Sequence, residues 1–381
     1  MMRAFVYLIV FFSFFDLFVQ LPIMSPLAQS LGAAPFLIGL AVGMYSFSNT
    51  IGNMLSGFWT DKRGPFYVLI TGLLATGATL FFYGAAQSTW LLLLVRFAHG
   101  LAAGLITPAA FTYLANHTAS EKRGQGAAVS GAFVGIAAIT GPAFSGILAS
   151  RTSEVHVLTI VGAAMTILGM AALLMLRKQP ASSPLPKQDS VSFSGLLGNA
   201  RARKAFTGAF LLMFSQGVLA YMLPLKIESL GYDSQTSGLL LSTFGVAAII
   251  IFLSPANRLF DRLQQEKIFF IGAAMMGTSL LLISQLTAAV FLYATMSIYG
   301  IGFAFLFPSI NSLLMNSVTP ESRGTAYGFF YAFFSLGVVA GSAVTGALSL
   351  SPLQGFMGTG LLLIVAGLLV LGQSTKKPSS L

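Results

Sequence analysis

Apolar runs of about 20 residues or more recur along this chain from end to end, each long enough to cross about 30 Å of hydrocarbon as a helix. Twelve are read: about 4–28, 36–59, 66–86, 90–115, 125–150, 155–176, 205–227, 236–256, 267–286, 289–315, 325–349 and 353–372. They are too long for strands and lack period-2 alternation. Composition agrees. Charged residues make up 8% and hydrophobic residues 56%, against about 25% charged in soluble domains. So little charge cannot cover the water-facing surface of a chain of 381 residues. The expectation is an all-α integral membrane protein in contact with a lipid bilayer. The opening "MMRAFVYLIVFF" has too long an apolar run, and no A-x-A-like site, for a cleaved signal peptide, so it reads as a retained first helix.

An even number of spans puts both termini on one side. With that side in the cytoplasm, every Lys and Arg of the 20 falls inside except Arg96, Arg151 and Lys226. The bias fixes the expected orientation and accounts for the net charge of +10 without nucleic acid. Cysteine is absent, so no thiolate metal site is expected, and no other metal site is read. The longest connection, 177–204, is rich in proline, serine and charge. It divides the spans six and six, giving expected domains of 1–176 and 205–381 with 177–204 as a cytoplasmic linker.

The halves repeat at an offset of 200. Gly72, Gly77, Gly100, Pro108, Phe133, Gly141 and Gly146 match Gly272, Gly277, Gly300, Pro308, Phe333, Gly341 and Gly346. Asp61-Lys62 matches Asp261-Arg262, and "EKRG" at 121–124 matches "ESRG" at 321–324. Parallel repeats imply two pseudo-symmetric six-helix bundles about an axis along the membrane normal, with a pathway between them.

Four segments resemble motifs of the major facilitator superfamily. "GFWTDKRG" is similar to its G-x-x-x-D-[RK]-x-G loop, on Gly57, Asp61, Lys62 and Gly64, with Pro65 and Phe66 where basic residues are usual. "VRFAHGLAAG" is similar to its R-F-x-Q-G stretch, with His99 in place of glutamine. "ITGPAFSGIL" resembles the G-P-x-x-G-G segment of proton-driven exporters, on Gly141, Pro142 and Gly146, with Ser145 for one glycine. "LPIMSPLAQSLG" resembles the P-x-x-P segment of the twelve-helix drug:proton antiporter branch, with Pro22 and Pro26 one residue further apart. The resemblance covers essentially the whole chain. It implies the major facilitator fold, alternating access, a cavity lined by helices 1, 4, 7 and 10, and an inner gate closed by Asp61 against a helix start at Arg323-Gly324. Arg123 is its counterpart in the first half. Gly57 is expected to let two backbones approach. Small residues around Gly131, Gly135, Gly141 and Gly146 suit tight helix contact, and Pro142 removes a backbone hydrogen bond and allows a bend.

Asp16, in "FFSFFDLFVQLP", is the residue that asks for a reason. It lies about 20 Å along its helix from Arg3, and Arg96 about 9 Å below Trp90, so the two are expected at similar depth. A charge at mid-membrane costs on the order of 3 kcal/mol and usually faces a cavity or a partner. A carboxyl stripped of water holds its proton, and one beside a guanidinium releases it. A motion that joins and separates Asp16 and Arg96 would therefore switch proton affinity, against the plainer reading of a permanent ion pair. His99 shares the face of Arg96 and suits a relay, or is simply hydrogen-bonded. Gln20, Asn49, Asn53, Gln216 (at offset 200 from Asp16), Phe303, Phe307 and Asn311 are cavity candidates, each equally readable as interhelical glue or lipid-facing surface. Asp16 and Arg96 are expected to be the buried charges.

No nucleotide-binding or nucleophile–base motif is found, so no enzyme activity is expected. The expected function is a proton-coupled exporter of lipophilic or amphiphilic small molecules in the cell membrane. It would be a monomer, with substrate, protons and lipid as partners and the proton gradient in place of any cofactor. The alternatives are a dedicated exporter of a polar metabolite (a sugar or metallophore), a lipid flippase, and an uptake symporter.

Overall fold

The computed structural model describes residues 2–116, 123–178, 193–254, 263–318 and 323–373, and within these the chain is helical with no strand. The elements are α1 (Met2–Val19), α2 (Met24–Ser30), α3 (Pro35–Arg63), α4 (Pro65–Phe81), α5 (Thr89–Gly104), α6 (Ile106–Asn116), α7 (Arg123–Arg151) and α8 (Glu154–Met175). They continue with α9 (Phe193–Gly198), α10 (Ala200–Ser229), α11 (Ser234–Leu253), α12 (Gln265–Gln285), α13 (Ala289–Met315), α14 (Arg323–Ala347) and α15 (Pro352–Gly372). A 3-10 turn, Phe82–Ala85, extends α4.

Among the described residues, eleven spans, with α5 and α6 forming one, are long and apolar enough to cross a membrane. The twelfth expected span, α3, has 29 residues and ample length. Its Ser46, Ser48, Asn49, Thr50, Asn53, Ser56 and Thr60 dilute its apolar character, and several of them bond inside the protein, as described below. The fold is that of a twelve-helix membrane protein.

Two expected spans are broken. The run 4–28 splits at Gln20–Ile23, where Pro22 lacks the N–H that a continuing helix needs, and α2 restarts at Met24. The run 90–115 is interrupted by a single turn residue, Leu105, whose N–H bonds to Ala102 O and Ala103 O, three residues before Pro108, which cannot donate to the carbonyl of Gly104. The Leu105 carbonyl accepts instead from Ser56 Oγ at 2.7 Å. At the foot of α3, Gly64 has φ +81°, a value that favours glycine, and it turns the chain into α4, which opens on Pro65.

By contact the chain forms two units, 1–185 with 227–242 and 186–226 with 243–381. The repeat is visible inside each. A Cβ on Gly100 would stand 2.4 Å from Tyr45 O, and one on Gly300 would stand 2.3 Å from Phe244 O. Likewise Gly77 abuts Gly162 and Thr166 of α8, while Gly277 abuts Gly360 and Ile364 of α15. The matched glycines are thus contact points where one helix backbone touches another. Gly141 serves the same purpose against Phe18 of α1, and Gly146 against Gly238 of α11. Gly57 does not: among the described residues none lies within 4 Å of a Cβ built there, and the same holds at Gly131. The expected close approach at those two positions is not made among the described residues.

Candidate functional site: a buried polar cluster on α1, α3 and α5

Asp16 sits where α1 packs among other helices, and its exposure is 0%. A buried carboxylate needs partners, and three side chains supply them. His99 Nε2 is 3.0 Å from Asp16 Oδ2. The Tyr45 hydroxyl donates to Oδ2 at 3.4 Å. Gln20 Nε2, one turn along α1, donates to Oδ1 at 3.1 Å and to the Asp16 carbonyl at 2.8 Å.

Arg96 does not touch Asp16, which corrects the expected direct pair. Its Nε donates to Ala41 O at 2.8 Å and its Nη2 to Val42 O at 3.2 Å, both on α3. Nη1 donates to Gln20 Oε1 and to the Tyr83 hydroxyl, the latter at 3.4 Å. The guanidinium also lies over the Tyr45 ring, 5.2 Å from its centre. Arg96 is held by α3 carbonyls and reaches the acid only through neutral groups, while His99, one turn further along α5, takes the direct position. His99 Nδ1 then meets the Tyr83 hydroxyl at 3.0 Å. Six side chains, Asp16, Gln20, Tyr45, Tyr83, Arg96 and His99, form one continuous network, all of them buried.

Of the expected site residues, Asp16, Arg96, His99 and Gln20 are brought together here. Asn49 and Asn53 lie further along α3: Asn53 Nδ2 donates to Asn49 Oδ1 at 3.0 Å and Asn49 Nδ2 to Gly100 O at 3.4 Å. They help bind α3 to α5. Tyr45 and Tyr83 were missed. Tyr45 had a signal, since 45, 49 and 53 form one polar stripe at helical spacing. Tyr83 had none, lying in the aromatic end of a span.

Helix α7 meets α11 closely. A Cβ at Gly238 would stand 2.2 Å from Pro142 O, and Ser242 Oγ donates to Ile139 O at 2.6 Å. Lys62 and Gly64 end α3, with Lys62 over the Phe58 ring at 4.1 Å. The side chains of Asp61, Arg123 and Arg323 lie outside the described residues.

The second half presents a different surface. On α13, Phe303 and Phe307 stack with ring centres 5.7 Å apart, Phe303 also meets Phe244, and Phe307 meets Phe334 of α14. Asn311 Oδ1 accepts from Tyr327 at 3.3 Å. Gln216 Nε2 is buried without a hydrogen-bond partner among the described residues. Buried charge is not confined to the first half, a further correction. Lys226 donates from Nζ to Ser284 O at 2.9 Å and to Ile283 O, meeting the negative end of α12. Lys204 pairs with Glu266 at 3.1 Å. Both lysines have local anionic or carbonyl partners that the spacing of charges alone does not show.

A family model described as Major Facilitator Superfamily matches residues 6–341 and 205–380. The chain belongs to the Major Facilitator Superfamily. It is a membrane transporter, therefore, of a family that moves small molecules and is not a catalytic one. The multi-drug resistance efflux pump PmrA of Streptococcus pneumoniae is 25% identical over 344 residues, covering 85% of this chain and 84% of that one. The multidrug resistance protein MdtG of Klebsiella pneumoniae is 25% identical over 319 residues, covering 80% and 76%. An uncharacterized MFS-type transporter of Methanocaldococcus jannaschii is 22% identical over 86% of each chain. Among solved structures, a bacterial homolog of the human lysosomal transporter Spinster has a TM-score of 0.81 at 15% identity, covering 99% of this chain and 98% of its own. The nucleoside transporter NupG has 0.77 at 16%, covering 98% and 99%. These likenesses concern the fold.

Proposed function

We propose that this transporter is a proton-coupled exporter of lipophilic or amphiphilic small molecules, seated in the cell membrane with both termini in the cytoplasm. The observation that carries the reading is Asp16: a fully buried acid with an imidazole at hydrogen-bond distance and a guanidinium one side chain away. With Asp16 charged, His99 neutral and Arg96 charged, the cluster is neutral. One added proton makes it positive in a place where charge is costly. Such a change biases the packing of α1 against α3 and α5 and couples proton uptake to a conformational step. Export is supported by the relatives named as efflux pumps and by the Gly141-Pro142 segment, whose close contact with α11 suits a gate.

In this reading 1–176 and 205–381 are the two moving bundles and 177–204 links them. The loop residues Gly57, Asp61, Lys62, Gly64, Arg123 and Arg323 close the cytoplasmic side, and Phe303, Phe307, Asn311, Gln216, Asn49 and Asn53 face the cargo. The proton gradient is the energy source and the working unit is a monomer. The test is transport in right-side-out proteoliposomes under an imposed pH gradient, with lipophilic dyes, sugars and metallophores as cargo. Exchange of a lipophilic cargo against protons, abolished in a folded Asp16→Asn protein, is expected. Cargo accumulating together with protons would establish symport instead, and flux indifferent to the gradient in both proteins would remove proton coupling.

A further inference from the structure

The hydrogen bonds of the cluster have a direction, and donor chemistry sets it. A guanidinium only donates, and a carboxylate only accepts. Arg96 Nη1 donates to the Tyr83 oxygen at 3.4 Å. The Tyr83 hydrogen must then go elsewhere, and His99 Nδ1 lies 3.0 Å away. A buried hydroxyl hydrogen left without an acceptor is costly, so the arrangement that satisfies both groups has Nδ1 accepting and carrying no hydrogen. A neutral imidazole with a bare Nδ1 bears its hydrogen on Nε2, 3.0 Å from Asp16 Oδ2. One arm of the network thus runs from Arg96 through Tyr83 and His99 to Asp16. A shorter arm runs from Arg96 through Gln20 to Asp16 Oδ1.

Lone pairs decide where an incoming proton can settle. Nδ1 has a single lone pair, and the Tyr83 hydrogen occupies it. A proton there would leave the Tyr83 hydrogen in a buried space and put a second cation one hydroxyl away from Arg96. The carboxylate has about four acceptor positions. Three are in use: Gln20 on Oδ1, and His99 and Tyr45 on Oδ2. One remains on Oδ1. The titratable and polar groups facing Asp16 and His99 from α1 and the turn after it, α3, the turn after α4, and α5 are Gln20, Tyr45, Tyr83 and Arg96.

We infer that Tyr83, oriented by Arg96, is a positioning residue that fixes His99 as the neutral Nε2–H tautomer, so that the proton enters on the Asp16 carboxyl and not on the imidazole. The tautomer assignment stands on geometry alone. Its second half rests on the proton-coupled reading given above.

Nitrogen NMR of histidine-labelled protein in lipid tests it, with the His99 signals identified by their loss in His99→Gln. From about pH 8 to about pH 5, across the ordinary histidine range, wild-type His99 is expected to keep a bare Nδ1 and a protonated Nε2. In Tyr83→Phe the bare-Nδ1 signal is expected to give way to mixed tautomers or to an imidazolium, and the pH of half-maximal gradient-driven flux to move by about one unit. An imidazolium at wild-type His99 within that range, or a protonated Nδ1, overturns the inference. So does a Tyr83→Phe spectrum and pH profile identical to wild type. The wild-type spectrum decides even where Tyr83→Phe does not fold. Flux that ignores the gradient, alongside the expected tautomer, removes the antiport reading and leaves the tautomer assignment standing.

Discussion

The two halves share a skeleton and differ in chemistry. At an offset of 200, Gly72, Gly77, Gly100 and Pro108 recur as Gly272, Gly277, Gly300 and Pro308, and the glycines make matching backbone contacts. The cluster residues do not recur. Asp16 becomes Gln216, Gln20 becomes Ala220, Tyr83 becomes Ile283, Arg96 becomes Met296 and His99 becomes Tyr299. In the second half Tyr299 simply bonds Ser215 at 2.8 Å, and aromatic rings line α13 and α14. Positions that set how close two helices come are held by sterics, since any side chain there meets backbone. Positions that carry charge are free to diverge, so the buried acid–imidazole–guanidinium cluster stands in one half only, and at the matching helices the other offers aromatic faces.

Making one half resemble the other tests this division. The largest effect is expected from Arg96→Met, which strips the Ala41 and Val42 carbonyls and Gln20 of a charged donor and leaves no guanidinium near Asp16: about 3 kcal/mol of stability lost, read as thermal unfolding in detergent. Combining it with Asp16→Gln, the second-half composition, should recover more than half of that loss. A single-variant loss under about 1 kcal/mol, the range of surface pairs, would mean the cluster is not held by charge. Next come Gly100→Ala and Gly300→Ala, each expected to cost about 1–3 kcal/mol through overpacking against backbone. Both should lower the unfolding temperature, but only Gly100→Ala, beside Tyr45 O, should change the pH dependence of transport. An equal shift in both would erase the distinction between the halves.

Smaller still is Gln216→Leu. Its amide nitrogen is buried without a partner among the described residues, so removing it should raise stability by about 1 kcal/mol, whereas Gln20→Leu should lower it. A destabilised Gln216→Leu would show that the amide is satisfied in the folded protein. The smallest is Phe307→Ala, expected to cut flux of a lipophilic cargo by about threefold, the worth of one aromatic contact, with the pH profile unmoved. A moved profile would tie the aromatic face to proton handling.

Most of the architecture was legible because membrane spans announce themselves by length and the repeat by its glycines and prolines. The site was legible in part. Asp16, Gln20, Arg96 and His99 stood out as polar residues in apolar runs, and the depths of Asp16 and Arg96 agreed. What depth could not give was rotation about each helix. That rotation decides that Arg96 faces the carbonyls of Ala41 and Val42 and that His99 faces the acid. Gly57 shows a similar limit: a glycine in a motif says that no side chain is wanted, not that a neighbour is near. Lys226 was placed near a span end, and nothing in the residues around it foretold the carbonyls of Ile283 and Ser284 that it caps.

The break at Leu105 separates the turn of α5 that bears Arg96 and His99 from the helix that follows. Its counterpart α13 runs through Pro308 without interruption. The two matched rods thus differ by one turn residue, Leu105, whose backbone stays in the right-handed helical region. A hydroxyl from α3 holds the Leu105 carbonyl at that turn, so α3 is fastened both to the acid-bearing cluster and to the start of the helix that follows it.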